Sequence, residues 1–122
     1  MKILMPSDDE KTISHHFGRT RAFLIFDVED RKIQKRDYIP NIITGHGRGM
    51  HNSGSHNYSS HAGIIEAIKD VQVVISCGMG KRLYDDLKHA GKEVYVTDTT
   101  DPEEAIKLYL DGKLENFEDL LD

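Results

Sequence analysis

Val71-Gln72-Val73-Val74-Ile75-Ser76-Cys77-Gly78-Met79-Gly80 is the stretch that decides the fold. Its first half is a short β-branched run, the pattern of a central strand buried on both faces. Its second half is a glycine-bearing turn. Beyond the turn, Leu83, Tyr84, Leu87 and Ala90 recur at helical spacing, and Gly91 is placed as a C-cap. Upstream, Ile64, Ile65 and Ile68 make another helical stripe. Downstream, Glu93 to Thr97 reads as a strand. Asp101-Pro102 then forms an N-cap and N1 pair opening a helix with Ala105, Ile106, Tyr109 and Leu110 inward. Strands alternating with helices in this way lie parallel and are joined by right-handed crossovers.

The N-terminal third has a different rhythm. Residues 2–5 form a first strand ended by Pro6 and the turn-forming Ser7-Asp8-Asp9. Ala22 to Val28 is a second strand, and Glu29 to Lys32 closes a hairpin into a third strand from Ile33 to Tyr38. The order β-β-β-α-β-α-β-α is met most economically by a mixed five-stranded sheet of order 3-2-1-4-5, strand 2 antiparallel and helices on both faces. This is a three-layer α/β architecture of the ribonuclease-H-like kind. Residues 1–122 read as one domain, with a His/Gly-rich loop over 41–61 and a short amphipathic tail over 113–122.

Composition narrows the function classes. A formal charge of −5 argues against gripping a phosphate backbone, so no nucleic-acid partner is expected. No apolar run approaches the roughly 20 residues that span a bilayer, so no membrane partner is expected either. The N-terminus lacks the pattern of a signal peptide. The single cysteine, Cys77, excludes an internal disulfide and favours a reducing compartment, hence the cytoplasm.

The topology gathers the unusual chemistry at one edge. Open α/β sheets bind ligands at the carboxyl ends of the strands where the strand order reverses, here between strands 1 and 4. The Pro6–Asp9 turn, the Cys77–Gly80 turn, the His-rich loop and the His15-His16 pair all fall at that rim. Four of the seven histidines, His46, His51, His56 and His61, recur every five residues within the loop. That spacing matches neither one face of a helix nor a structural zinc motif. They read equally as a solvated polar segment, with His61 capping the following helix, or as ligands for a divalent ion. The Gly78-Met79-Gly80 turn, at a helix N-terminus, suits an anion: a phosphate or an anionic metal–sulfide cluster. It is not a Walker loop. Cys77 reads either as a buried small hydrophobe or as a soft ligand, and Met79 as a core or lid residue. Catalysis is not expected. A Cys77/His16 dyad lacks an orienting acid, and nuclease chemistry needs carboxylates that strand 1 does not carry, although Asp8 and Asp9 follow it.

Several stretches carry a resemblance: Met1 to Pro6, Ser14-His15-His16-Phe17-Gly18-Arg19, Ala22-Phe23 and Tyr38-Ile39-Pro40-Asn41. The His/Gly-rich loop, Gly63-Ile64-Ile65-Glu66, Val74 to Gly80 and Tyr84-Asp85-Asp86-Leu87 extend it over about residues 1–113. Together they resemble the dinitrogenase iron–molybdenum cofactor biosynthesis family, the small domain shared by NifX-like carriers and the C-terminal part of NifB-like proteins. The resemblance implies a non-catalytic carrier of an iron–sulfur or molybdenum–iron–sulfur cluster, working with a cluster donor or acceptor protein. The family's HFGR histidine, taken as a cluster ligand, falls on His16, with His15, Phe17, Gly18 and Arg19 beside the cluster. Its glycine-rich turn falls on Cys77–Gly80, where Cys77 could add a thiolate and Gly78, Met79 and Gly80 contact the cargo. Two alternatives stand beside this reading. One is a buffer or sensor of zinc, nickel or copper through the loop histidines; the other is a metal-free interaction module.

Overall fold

The structure is a computed structural model and describes residues 1–41 and 68–121. His46, His51, His56, His61 and most of the loop therefore lie outside the described residues, as do Ile64 and Ile65 of the expected helical stripe. Five strands are present among the described residues: β1 (Lys2–Ser7), β2 (Ala22–Glu29), β3 (Lys32–Pro40), β4 (Val73–Ser76) and β5 (Glu93–Val96). Two α-helices follow β4 and β5, α1 (Lys81–His89) and α2 (Pro102–Leu110), and a 3-10 turn spans Glu118–Leu120. The sheet order is β3-β2-β1-β4-β5, as the sequence led us to expect. β1 runs antiparallel to β2 and parallel to β4, with Ile3 opposite Val73 and Leu4 opposite Val74.

The alternation of side chains along the strands builds two cores. Leu4, Phe23, Val74, Val94 and Val96 turn to one face, where Leu83, Tyr84 and Leu87 of α1 cover them. Ile3, Met5, Leu24, Phe26, Val73 and Ile75 turn to the other, against Ala105 and Ile106 of α2. With one described helix on each face, the arrangement has three layers. α1 ends in a Schellman motif: Gly91 takes φ +88°, with Gly91 N–H on Lys88 O and Lys92 N–H on Leu87 O.

Strand ends shift by one or two residues from the sequence reading, β3 running on to Pro40 and β4 beginning only at Val73, and two differences bear on the site. β1 continues through Pro6 to Ser7, opposite Phe23 and Ala22. Pro6 lies beyond the register with β4, at a strand end where a missing N–H is tolerated. The tail is a strap along β5 more than a free amphipathic segment. Phe117 N–H donates to Val96 O (2.7 Å), Val96 N–H donates to Asn116 Oδ1 (2.8 Å), and Leu121 bridges to Met79. No helix among the described residues is long and apolar enough to cross a membrane.

Candidate functional site

The carboxyl ends of β1 and β4 lie side by side, and the segment leaving β1 folds back across them. Asp9 starts the reversal. Its carboxylate accepts the N–H groups of Lys11 (2.9 Å) and Thr12 (2.8 Å), which hold its pKa below the usual carboxylate value. The chain then crosses the rim. Ile13 N–H donates to Thr100 O (2.8 Å), Ser14 N–H to Pro6 O (2.7 Å), and Cys77 N–H to Ser14 O (3.1 Å). Ser14 thus joins the ends of the two strands that flank the switch point.

Residues 14–21 form a short loop above this crossing. His16 N–H donates to Ser14 Oγ (3.0 Å), Asp8 accepts Arg21 N–H (2.7 Å), and the Thr20 hydroxyl lies between Ala22 O (3.0 Å) and Asp8 Oδ1 (3.3 Å). The Phe17 ring plugs the loop into the core, 1% exposed and 5.1 Å from the Phe23 ring. Buried Asn41, where the His-rich loop begins, donates from Nδ2 to Thr20 O (2.8 Å) and Gly18 O (3.3 Å). With Phe17 inward, His15 and His16 are left exposed, and neither imidazole has a hydrogen-bond partner among the described residues.

The β4–α1 turn faces this loop at backbone distance. A Cβ built on Gly78 would stand 2.3 Å from His15 O, so only glycine lets the two segments touch without displacement. Ser76 Oγ donates to Gly78 O (2.6 Å) and accepts Gly78 N–H (3.2 Å). The Gly78 amide, expected from the sequence to face an anion, is therefore already committed. Gly80 is the N-cap of α1 and supplies no side-chain cap. The first-turn amides of Lys81, Arg82 and Leu83 are those that an α-helix leaves without intrahelical acceptors. Met79 is core rather than lid: it is buried with Phe17 and Leu83.

Cys77 takes a different place from His16. It is 3% exposed, packed with Ile13, Ile75 and Ala105 on the α2 face, and its thiol donates to Thr99 O (3.3 Å). Burial, with a smaller contribution from the Asp98 charge, pushes the thiol up to about 11. Among the described residues, no three His, Cys, Asp or Glu side chains gather closely enough to hold a metal ion. The rim carries both signs of charge, with the carboxylates of Asp8 and Asp9 exposed in the turn after β1. Arg19, Arg21, Lys81 and Arg82 are exposed, and of these only Lys81 has an ion pair with a described residue, Asp85 at 3.6 Å.

The sequence model of the dinitrogenase iron–molybdenum cofactor family matches residues 1–112. The chain belongs to this family. Its strap, residues 113–121, lies beyond that match. The uncharacterized protein MJ0580 of Methanocaldococcus jannaschii is 36% identical over 118 residues, covering 97% of this chain and 92% of that protein. The solved structure of PH0822 superposes with a TM-score of 0.69 at 24% identity, covering 98% of this chain and 97% of that one. The apo form of the orange protein from Desulfovibrio gigas superposes with a TM-score of 0.66 at 17% identity, covering 95% and 92%. At these identities the two structures establish a shared fold.

For this iron–molybdenum cofactor family member, the structure brings His15, His16, Gly18 and Arg19 together with Gly78 and Gly80 at one rim. Phe17 and Met79 lie beneath them and Cys77 on the opposite face. Three residues with a part in the rim's geometry read from the sequence only as turn or motif residues and not as site residues: Asp8, Ser14 and Asn41. The readable signal is the Ser14-x-His16 spacing, which lets a serine oxygen accept an amide two residues on.

Proposed function

We propose that this chain is a non-catalytic carrier that binds an anionic iron–sulfur or molybdenum–iron–sulfur cluster at the carboxyl rim and passes it to a partner protein in a reducing cytoplasm. The observation that carries the reading is His16, an exposed imidazole without a described partner, held above the strand switch point of a member of the iron–molybdenum cofactor family. A neutral imidazole suits iron and other borderline metals. Exposed Arg19, Arg21 and Arg82 and the uncapped start of α1 favour the negative charge of such a cargo.

The donor set also fits transfer better than storage. A structural metal site closes its ion with four protein ligands, whereas the described rim offers one or two imidazoles. Few protein ligands leave a cluster open to exchange with a recipient. The loop histidines His46, His51, His56 and His61 are assigned here as auxiliary ligands of the same cargo. Cys77 is assigned to the core, because its thiol is buried on the α2 face and donates to Thr99 O, whereas His16 is exposed at the rim.

Anaerobic reconstitution with iron, sulfide and molybdate tests this. Wild-type protein takes up a coloured cluster after desalting; His16→Ala keeps less than a fifth of the absorbance and Cys77→Ala keeps most of it. Equal retention by His16→Ala would falsify the role of His16. Zinc or nickel binding by the full chain that is lost on deleting residues 42–61, without any cluster uptake, would favour a divalent-metal buffer instead.

A further inference from the structure

We propose that Asp8 is the positioning residue for His16, making residues 14–21 a preformed arm. What the arm is for rests on the cluster-binding reading above; that it exists does not. Asp8 stands immediately beyond β1, and both of its carboxylate oxygens are spent on this one segment. Oδ1 accepts Arg21 N–H at 2.7 Å, at the far end of the loop, and lies 3.3 Å from the Thr20 hydroxyl, which also has Ala22 O at 3.0 Å. Oδ2 lies 3.4 Å from Ser14 Oγ, at the near end. A single side chain thereby grips the two roots of the loop whose crown carries His15 and His16.

The link to His16 runs through Ser14. Its oxygen accepts His16 N–H at 3.0 Å and also lies 3.3 Å from His16 O. A hydroxyl has one proton to donate. A carboxylate is a stronger acceptor than a carbonyl, and a hydroxyl proton turned toward Asp8 leaves the serine lone pairs to the His16 amide. Phe17 fixes the depth of the loop; Asp8 fixes the direction in which its backbone leaves the rim.

Electrostatics separates the two roles Asp8 could have. A carboxylate beside an anionic cargo opposes binding, so if Asp8 acted only through its charge, removing it would strengthen cluster uptake. If Asp8 positions His16, removing it weakens uptake despite the gain in positive potential. The two roles predict opposite signs.

The experiment uses the full chain and three variants, Asp8→Ala, Asp8→Asn and Asp8→Glu, with two readouts. The first is amide hydrogen exchange of the free protein by NMR. Asp8→Ala is expected to raise exchange at His16 N–H at least tenfold, with Leu4 and Val74 amides unchanged. Asp8→Asn, which keeps one acceptor oxygen for Arg21 N–H, is expected to fall between. The second is anaerobic reconstitution with iron, sulfide and molybdate, in which Asp8→Ala and Asp8→Asn take up at least threefold less cluster than wild type and Asp8→Glu recovers part of the loss. Unchanged His16 exchange in Asp8→Ala overturns the positioning role whatever the cluster does, and so does greater uptake by Asp8→Asn than by wild type. Raised His16 exchange in a protein whose wild type takes up no cluster leaves the arm standing and removes the cargo. Should Asp8→Ala fail to fold, Asp8→Asn decides between the two roles by the same two readouts.

Discussion

The loop that carries His16 and the turn that carries Cys77 leave neighbouring parallel strands and touch each other, yet they prepare their side chains for opposite fates. The loop buries its aromatic residue and leaves two imidazoles in water. The turn buries its thiol, points the S–H at Thr99 O, and raises its pKa to about 11. Both residue types are good metal ligands in the abstract. A ligand atom must be reachable, and the fold leaves the His16 imidazole exposed while it turns the Cys77 thiol into the core. Alternation carries Cys77 after Ile75 onto the α2 face; the turn then breaks the alternation, and Met79 lies on the α1 face with Phe17.

The largest effect expected on this contrast comes from Phe17. Its ring is 1% exposed and packs on Phe23, so Phe17→Ala should cost about 3–5 kcal/mol of stability, as deletion of a buried aromatic does. It should also free the imidazoles above it. Chemical denaturation reads the first effect. Broadened NMR signals confined to residues 14–21 under native conditions read the second. A loss under about 1 kcal/mol would mean that the loop is held by its hydrogen bonds alone and that Phe17 is no anchor.

The strand order was legible because periodicity, hairpin turns and right-handed crossovers leave few topologies to choose from. Pro6 misled as a strand terminator, since only its position beyond the β4 register makes it harmless, and register is a tertiary fact. At the rim, the sequence was less informative about which atoms face out. Asp8 looked like a turn residue because its partners Ser14 and Arg21 are brought to it by the β1–β2 pairing. Gly78 looked like an anion-facing amide, whereas its glycine character serves the close passage of His15 O and its N–H goes to Ser76 Oγ. Cys77 was readable either as a soft ligand or as a small hydrophobe, and only packing separates the two.

The thiol itself gives the next effect in size. A group whose folded pKa lies above its unfolded one stabilises the fold below the unfolded value and loses that contribution as pH rises through the folded value. For Cys77 the window runs from 9.0 to about 11, and the loss is at most about 3 kcal/mol. Tyr95 and Tyr109 are also pushed upward by burial, so the raw alkaline limb mixes several groups. The difference between wild type and Cys77→Ala isolates the thiol: the gap in unfolding free energy should narrow between pH 9 and 11. A gap that stays constant over that range would mean the thiol ionises freely in the fold, and Cys77 would return as a ligand candidate.

The smallest effect concerns the place where the two regions meet. A methyl group at position 78 would stand 2.3 Å from the His15 carbonyl oxygen, and that oxygen belongs to backbone tied down by Ser14 on one side and Phe17 on the other. Relief must come from lifting the loop, because the turn is fixed from within by Ser76. Gly78→Ala should therefore cost about 1–3 kcal/mol, the usual range for overpacking. Its structural trace should be one-sided, with chemical-shift changes and faster amide exchange at residues 14–17 and little change at Ser76 or in α1. A trace confined to the turn would mean that the loop is the stiffer partner. His16 would then be set by its own loop alone, with no contribution from the turn below it.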